Sequence, residues 1–167
     1  MEDKSLTKLI IINGAPGVGK STIGNVIFSR LHNSAFLDGD DVWRINPFEV
    51  TDRTRSIVER NIAFVLRNYI EASYEYVILV WVLHQQSIID HLLGNLDDLK
   101  FKVYIFTLIC DEEILLERLR QQGKKGRELE VALDRLQQSL TLKTEKLDTS
   151  LLKPDKIVSR IVAAITN

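Results

Sequence analysis

The stretch Ile10-Ile11-Ile12-Asn13-Gly14-Ala15-Pro16-Gly17-Val18-Gly19-Lys20-Ser21-Thr22 decides how the rest of the chain is read. Its isoleucines suit a buried strand, its glycines a turn, and from Lys20 the positions Ile23, Val26, Ile27 and Leu31 take up a helical spacing. Gly14, Gly19, Lys20 and Ser21 satisfy the pattern G-x-x-x-x-G-K-[ST]. Glycines at these positions let successive backbone N–H groups turn inward as a concave anion nest. The helix that follows adds its unpaired amides and the positive end of its dipole. The expectation is therefore a phosphate-binding loop, Gly14, Ala15, Pro16, Gly17, Val18, Gly19, Lys20, Ser21 and Thr22, that cradles a nucleoside triphosphate. Lys20 is expected on the β- and γ-phosphates and the Ser21 hydroxyl on Mg²⁺. A strand before and a helix after the glycines argue against a chance match.

Composition sets the frame around this loop. The 167 residues suit one domain, 1–167, with a substantial core. A formal net charge of −1 gives no bulk attraction to nucleic acid or to an acidic membrane. The single cysteine, Cys110, cannot form an internal disulfide, which points to a reducing, cytoplasmic setting, and its place after a strand suits a small buried residue. The apolar run 9–12 is too short for a signal peptide, and no run approaches the ~20 residues needed to span a bilayer. The expected partner is a small molecule, with neither nucleic acid nor membrane, and the expected state is a monomer or homodimer.

Strands and helices alternate along the chain. A short apolar run, Ala35-Phe36-Leu37, ends in Asp38-Gly39-Asp40-Asp41. Thr51 or Asp52 reads as the cap of a long helix to about Ala72. The uniformly apolar Tyr76–Leu83 reads as a strand buried on both faces. A helix over 85–95, a strand over 102–108 and a helix capped by Asp111 follow. Gly123 and Gly126 bracket Lys124 and Lys125 in what reads as a mobile basic loop, before a helix to about Leu142. A weak strand at 146–148 and a closing helix from Pro154 complete an α/β pattern of parallel strands covered on both sides. Ligands in such sheets bind at the carboxyl edge, where Asp38–Asp41, His84 and Cys110 end their strands.

Phosphoryl transfer needs a cradle, a metal, a group that positions the acceptor hydroxyl, and cations for the migrating charge. Asp38 and Asp40 lie two apart, so in extended conformation they project to one side, and Gly39 allows a turn between them. One of the two can serve the Mg²⁺ shell while the other accepts the hydroxyl proton; Asp41 reads as a helix cap.

Gly14–Thr22, Phe36-Leu37-Asp38-Gly39-Asp40-Asp41 and Leu115-Leu116-Glu117-Arg118-Leu119 together resemble the small P-loop kinases of metabolites, a group that includes shikimate kinase, gluconate kinase and chloramphenicol phosphotransferase. The resemblance covers nearly the whole chain in element order. It implies a three-layer α/β P-loop NTPase fold with a five-stranded parallel sheet ordered 2-3-1-4-5, helices on both faces and a short lid, about 121–130. It implies ATP and Mg²⁺ as cofactors, Asp38 near the metal and Asp40 on the acceptor. Arg118 matches the arginine that packs near the nucleotide, and Arg127 falls where a lid arginine enters the site as a catalytic cation. Two departures stand out. Val80-Trp81-Val82-Leu83-His84 lacks a Walker B carboxylate, and His84-Gln85-Gln86 replaces the glycine-rich turn of shikimate kinases.

Cations for the acceptor follow the second strand: Arg44, Arg53, Arg55 and Arg60. Arg53 and Arg60, seven apart, share a helix face, and Arg60 matches best the substrate-binding arginine of shikimate kinases. Asp40, Arg44, Arg60 and His84 are the expected substrate-binding residues, with His84 at the rim; a solvated helix face is the alternative for the arginines. The expected activity is ATP-dependent transfer of a γ-phosphoryl group to a hydroxyl of a small metabolite or antibiotic. The rival readings are a nucleoside or nucleotide kinase and a nucleotide-binding switch without an acceptor.

Overall fold

The structure, a computed structural model, describes residues 6–166. Along the chain come β1 (Thr7–Gly14), α1 (Lys20–Arg30), β2 (Ser34–Asp38), a short 3₁₀ turn (Gly39–Val42), α2 (Asp52–Glu71), β3 (Tyr76–Val80), α3 (Gln86–Gly94) and β4 (Phe101–Ile109). Then follow α4 (Glu112–Gln121), α5 (Arg127–Leu140), β5 (Glu145–Asp148) and α6 (Pro154–Thr166). The strands form one sheet in the order β2-β3-β1-β4-β5, all parallel, with Ile11 beside Leu79 on one flank and Ile105 on the other. This is the expected α/β P-loop arrangement.

Parity along β1 divides the core. Ile10 and Ile12, with Ile78, Val80 and Phe106, pack with Ile23 and Ile27 of α1 and Ile157 and Ile161 of α6. Leu9 and Ile11, with Val77 and Leu79, pack with Val58, Ile62 and Leu66 of α2 and Ile89 of α3. Because both faces are covered, β1 and β3 have no polar face to alternate with, and they read as unbroken apolar runs. Each such side chain, fully buried, contributes roughly 1.5–3 kcal/mol.

β3 ends at Val80 rather than at Leu83. The reason is Asn13, fully buried at the end of β1. Its Oδ1 accepts from the Leu83 N–H at 2.7 Å and its Nδ2 donates to the Leu83 carbonyl at 2.9 Å and to Thr107 Oγ1 at 3.3 Å. A side-chain amide thus stands in for the next rung of the ladder and frees residues 81–85 to leave the strand.

The helix ends also depart from expectation in instructive ways. Thr51 caps α2 as foreseen, in a reciprocal pair with Thr54. Asp41 caps nothing; Asp38 does, its Oδ1 accepting from the Asp40 N–H at 3.1 Å. Asp111 holds the N-cap position of α4 without a side-chain capping bond. At the other end of α4, Gly123 has φ 80°. Its N–H donates to the Arg120 carbonyl at 2.9 Å, and the Lys124 N–H donates to the Leu119 carbonyl at 3.0 Å. These two bonds make a Schellman cap. The segment 121–130 is accordingly a helix end, a five-residue turn and the first residues of α5, with Lys124 Nζ 2.7 Å from Glu128 Oε1.

Candidate active site

The loop between β1 and α1 turns on left-handed glycines, Gly14 at φ 141°, Gly17 at 86° and Gly19 at 101°. A Cβ on Gly14 would stand 2.5 Å from the Leu108 carbonyl oxygen, so the loop is seated directly on β4. A Cβ on Gly19 would meet nothing, so only its φ demands glycine and the space beside it lies open. Lys20 Nζ donates to the Ala15 carbonyl at 3.0 Å, folding the ammonium over the loop. Burial lowers its pKa to about 8, against the opposing pull of Asp40 and Asp38.

Ser21 Oγ donates to Asp38 Oδ2 at 3.1 Å, which joins the first residues of α1 to the tip of β2. A hydroxyl and a carboxylate side by side at the mouth of the loop are hard oxygen donors, and they suit Mg²⁺ completed by phosphate oxygens and water. Asp40 lies in the 3₁₀ turn, so it meets Asp38 through a bend and not through strand alternation. Its pKa is raised, by partial burial first and by the Asp38 charge second, with Lys20 opposing.

Two cavities flank the loop. One, of about 470 Å³, has Pro16 and Asp40 at its loop end. Its walls are Trp43, Phe48, Trp81, Val82, Ile88 and Val131, with Arg55, Glu59, His84 and Arg135 as polar members. The Trp43 ring lies 6.3 Å from Trp81 and 5.7 Å from Phe48, centroid to centroid. Burial, with the nearby Arg135 and Arg55 charges, lowers the His84 pKa to about 4, so its imidazole is neutral. The second cavity, of about 280 Å³, is lined by Gly17, Gly19, Thr22, Arg118 and Thr149. There the Arg118 guanidinium donates to Thr149 Oγ1 at 3.1 Å and to the Thr149 carbonyl at 2.7 Å, and Thr149 Oγ1 donates to the Val18 carbonyl at 3.2 Å. α4 is thereby tied to the loop.

The structure brings Gly14–Thr22, Asp38 and Asp40 together, sets His84 in the first cavity and Arg118 in the second. Three expected cations lie elsewhere. Arg44 is exposed and 3.3 Å from Asp41 Oδ1; Arg60 is exposed, with Nε donating to the Ser56 carbonyl at 3.3 Å; Arg127 is exposed at the start of α5. None of the three lines either cavity. The phase of α2 explains this, since Arg55 and Glu59, four apart, share the cavity face and Arg60 is turned past it. Arg135, two turns beyond Arg127, lines the cavity with Val131, and its signal was their four-residue spacing on one face of α5. Trp81 was legible only as part of the apolar run Tyr76–Leu83, and Trp43 was not singled out as a site residue.

No curated protein matches the sequence. Among solved structures, the fold is similar to the tunicamycin resistance protein of Deinococcus radiodurans, with a TM-score of 0.78, 22% identity and 95% of each chain covered. It is similar to a gluconokinase from Sinorhizobium meliloti 1021, with a TM-score of 0.73, 21% identity, and 96% of this chain and 93% of that one covered. A third likeness is the Mycobacterium tuberculosis APS kinase, in complex with AMPPNP and APS, at a TM-score of 0.75 and 16% identity over 96% and 98% of the two chains. At these identities the likeness establishes the fold, that of the small P-loop kinases. Residues 10–139, which carry the loop, the Ser21–Asp38 pair and the three cavity arginines, match the model of the AAA domain family, and the chain belongs to that family.

Proposed function

We propose that the chain is an ATP-dependent kinase that transfers the γ-phosphoryl group to a hydroxyl of a small metabolite or antibiotic. The observation that carries this reading is Asp40, which stands at the end of a 470 Å³ cavity where that cavity meets the phosphate loop, close enough to Lys20 for their charges to interact. A nucleotide switch has no use for such a cavity; a phosphotransferase needs one beside its γ-phosphate.

The backbone N–H groups of the loop and Lys20 hold the β- and γ-phosphates, and Arg118 serves the nucleotide side. Ser21 and Asp38 would hold Mg²⁺, which supplies charge neutralisation at the phosphates. Asp40 orients the acceptor hydroxyl and takes its proton as that oxygen bonds to the γ-phosphorus. The bond from phosphorus to the bridging oxygen breaks, and ADP leaves. A carboxylate whose pKa is raised is a better proton acceptor than an ordinary one. Arg55 and Arg135 are the cations we assign to the acceptor side, in place of Arg44 and Arg60.

The test is ADP release in MgATP across panels of sugars, hydroxy acids, nucleosides and aminoglycosides, with the phosphorylated product identified by mass. One class is expected to stimulate release in step with product. Tight nucleotide binding with no stimulation by any class would overturn the kinase in favour of a switch.

A further inference from the structure

The chemistry of the 470 Å³ cavity narrows the acceptor. Its loop end is acidic, with Asp40 in the wall and Asp38 behind it. Around His84 the wall carries two guanidinium groups, Arg55 and Arg135, against one carboxylate, Glu59. Between these poles the wall is largely carbon, with the Trp43 ring paired to Phe48 on one side and to Trp81 on the other. Along that stretch a bound polyol would find few partners beyond Trp43 Nε1 and His84 Nδ1, which are buried without one, and a hydroxyl that loses water without a partner is costly. A flat apolar body loses nothing there and gains ring contacts.

The guanidinium groups have donors to spare. Arg55 Nη1 is 3.8 Å from Oδ1 of the fully exposed Asp52, and Arg135 Nη1 contacts Asp134 Oδ2 at 3.2 Å and Gln138 Oε1 at 3.0 Å. A guanidinium carries five N–H donors, so each retains several for an anion. Glu59, the other carboxylate of the wall, lies 3.6 Å from His91 Nε2. The volume is in the range of sites that enclose a small ligand.

Building on the kinase reading, we infer that the acceptor is a ring-bearing, hydroxylated small molecule with one anionic group. Its ring lies against Trp43, Trp81 and Phe48, its hydroxyl faces Asp40, and its anion meets Arg55 and Arg135.

The chain's two tryptophans both line this cavity, so intrinsic fluorescence reports its occupancy without ATP. Three probes separate the features: 4-(hydroxymethyl)phenylacetate carries ring, hydroxyl and anion; 4-methylbenzyl alcohol lacks the anion; gluconate lacks the ring. The first is expected to quench tryptophan emission and to bind at least about tenfold more tightly than either of the others. Arg55→Gln and Arg135→Gln should each weaken it by about fivefold or more and leave 4-methylbenzyl alcohol unaffected. Both substitutions are at partly exposed positions, and thermal melts of each verify folding. Gluconate bound as tightly as the ring-bearing acid, or an affinity unmoved by both arginine variants, would overturn the inference. The kinase reading fails separately: selective binding of the ring-bearing acid with no phosphoryl transfer from MgATP refutes it while the acceptor assignment stands.

Discussion

Lys20 sits with its ammonium against the Ala15 carbonyl, and burial there brings its pKa from 10.5 down to about 8. A lysine whose folded pKa lies below its unfolded one opposes folding while it is protonated in both states. At pH 7 that cost is on the order of 2 kcal/mol, after discounting for solvent at its partly exposed stem. Between about pH 8 and 10.5 the unfolded chain holds the proton more often than the folded one, so stability rises with pH across that window. Lys20→Met should therefore abolish transfer and yet stabilise the protein by about 1–2 kcal/mol at pH 7, with the gain shrinking by pH 9.5. Urea denaturation at the two pH values measures this, and a less stable variant at pH 7 refutes it. The two aspartates separate in another way. Asp40→Asn should lower transfer by ~10²–10⁴-fold with ATP affinity undiminished, since it removes a proton acceptor and a repelling charge but no phosphate contact. Asp38→Asn should instead raise the Mg²⁺ concentration needed for half-maximal rate, because it weakens the Ser21–Asp38 oxygen pair. A Mg²⁺ titration of both variants would reverse the roles if the metal defect followed Asp40.

Among the elements, α1 and the end of β1 carry the constraints that position the loop. Gly24, in the middle of α1, faces the sheet so closely that a Cβ would stand 2.4 Å from Val80 Cγ2 and 3.0 Å from Phe36 Cε2. Alanine there gains up to ~1 kcal/mol of helix propensity, but crowding a packed core costs about 1–3 kcal/mol, and Val80 is itself fully buried. Gly24→Ala should be destabilising on balance, and a Tm above that of the parent would show that α1 can lift off the sheet freely. Asn13→Ala should cost about 3 kcal/mol, because it leaves the buried Leu83 N–H and carbonyl without partners and releases the segment that carries His84. These elements show why the sequence was readable only in part. The sheet order came from family resemblance, and the strands came from apolar runs that two-sided burial makes unmistakable. The loop was legible because its glycines, lysine and serine are local in sequence. The end of β3 was not, since Asn13 acts from 70 residues away. The cap at Gly123 was not legible either, because a Schellman glycine and a loop glycine look alike without the bonds around them. Arg135 was not singled out, and Arg55 stood only as one of four candidate cations, because the choice among the chain's eleven arginines depends on helix phase against a cavity that several elements build.

At the scale of the whole molecule, the phosphate loop stands between two cavities, and charge on one side alters proton affinity on the other. In the free protein Lys20 titrates at about pH 8 and Asp40 above its ordinary range, and both lie where a triphosphate brings negative charge. Added negative charge raises both values. The profile of kcat/KM for ATP reports the free protein and that of kcat the complex. The alkaline limb of kcat/KM should fall near pH 8, and in kcat it should lie higher, because the phosphates keep Lys20 protonated. The acid limb, set by Asp40, should also move to higher pH in kcat, and Asp40→Asn should remove it from the residual rate. Binding gives the same answer without catalysis. Above about pH 8, ATP must bring a proton to Lys20 as it binds, so its Kd should rise by nearly tenfold per pH unit. Calorimetry in buffers of different ionisation enthalpy should show uptake of close to one proton per ATP at pH 9 and little at pH 7. Lys20→Met should take up none at either pH. Equal uptake by parent and variant would mean that Lys20 is not the group facing the phosphates, and the phosphate assignment of the loop would fall with it.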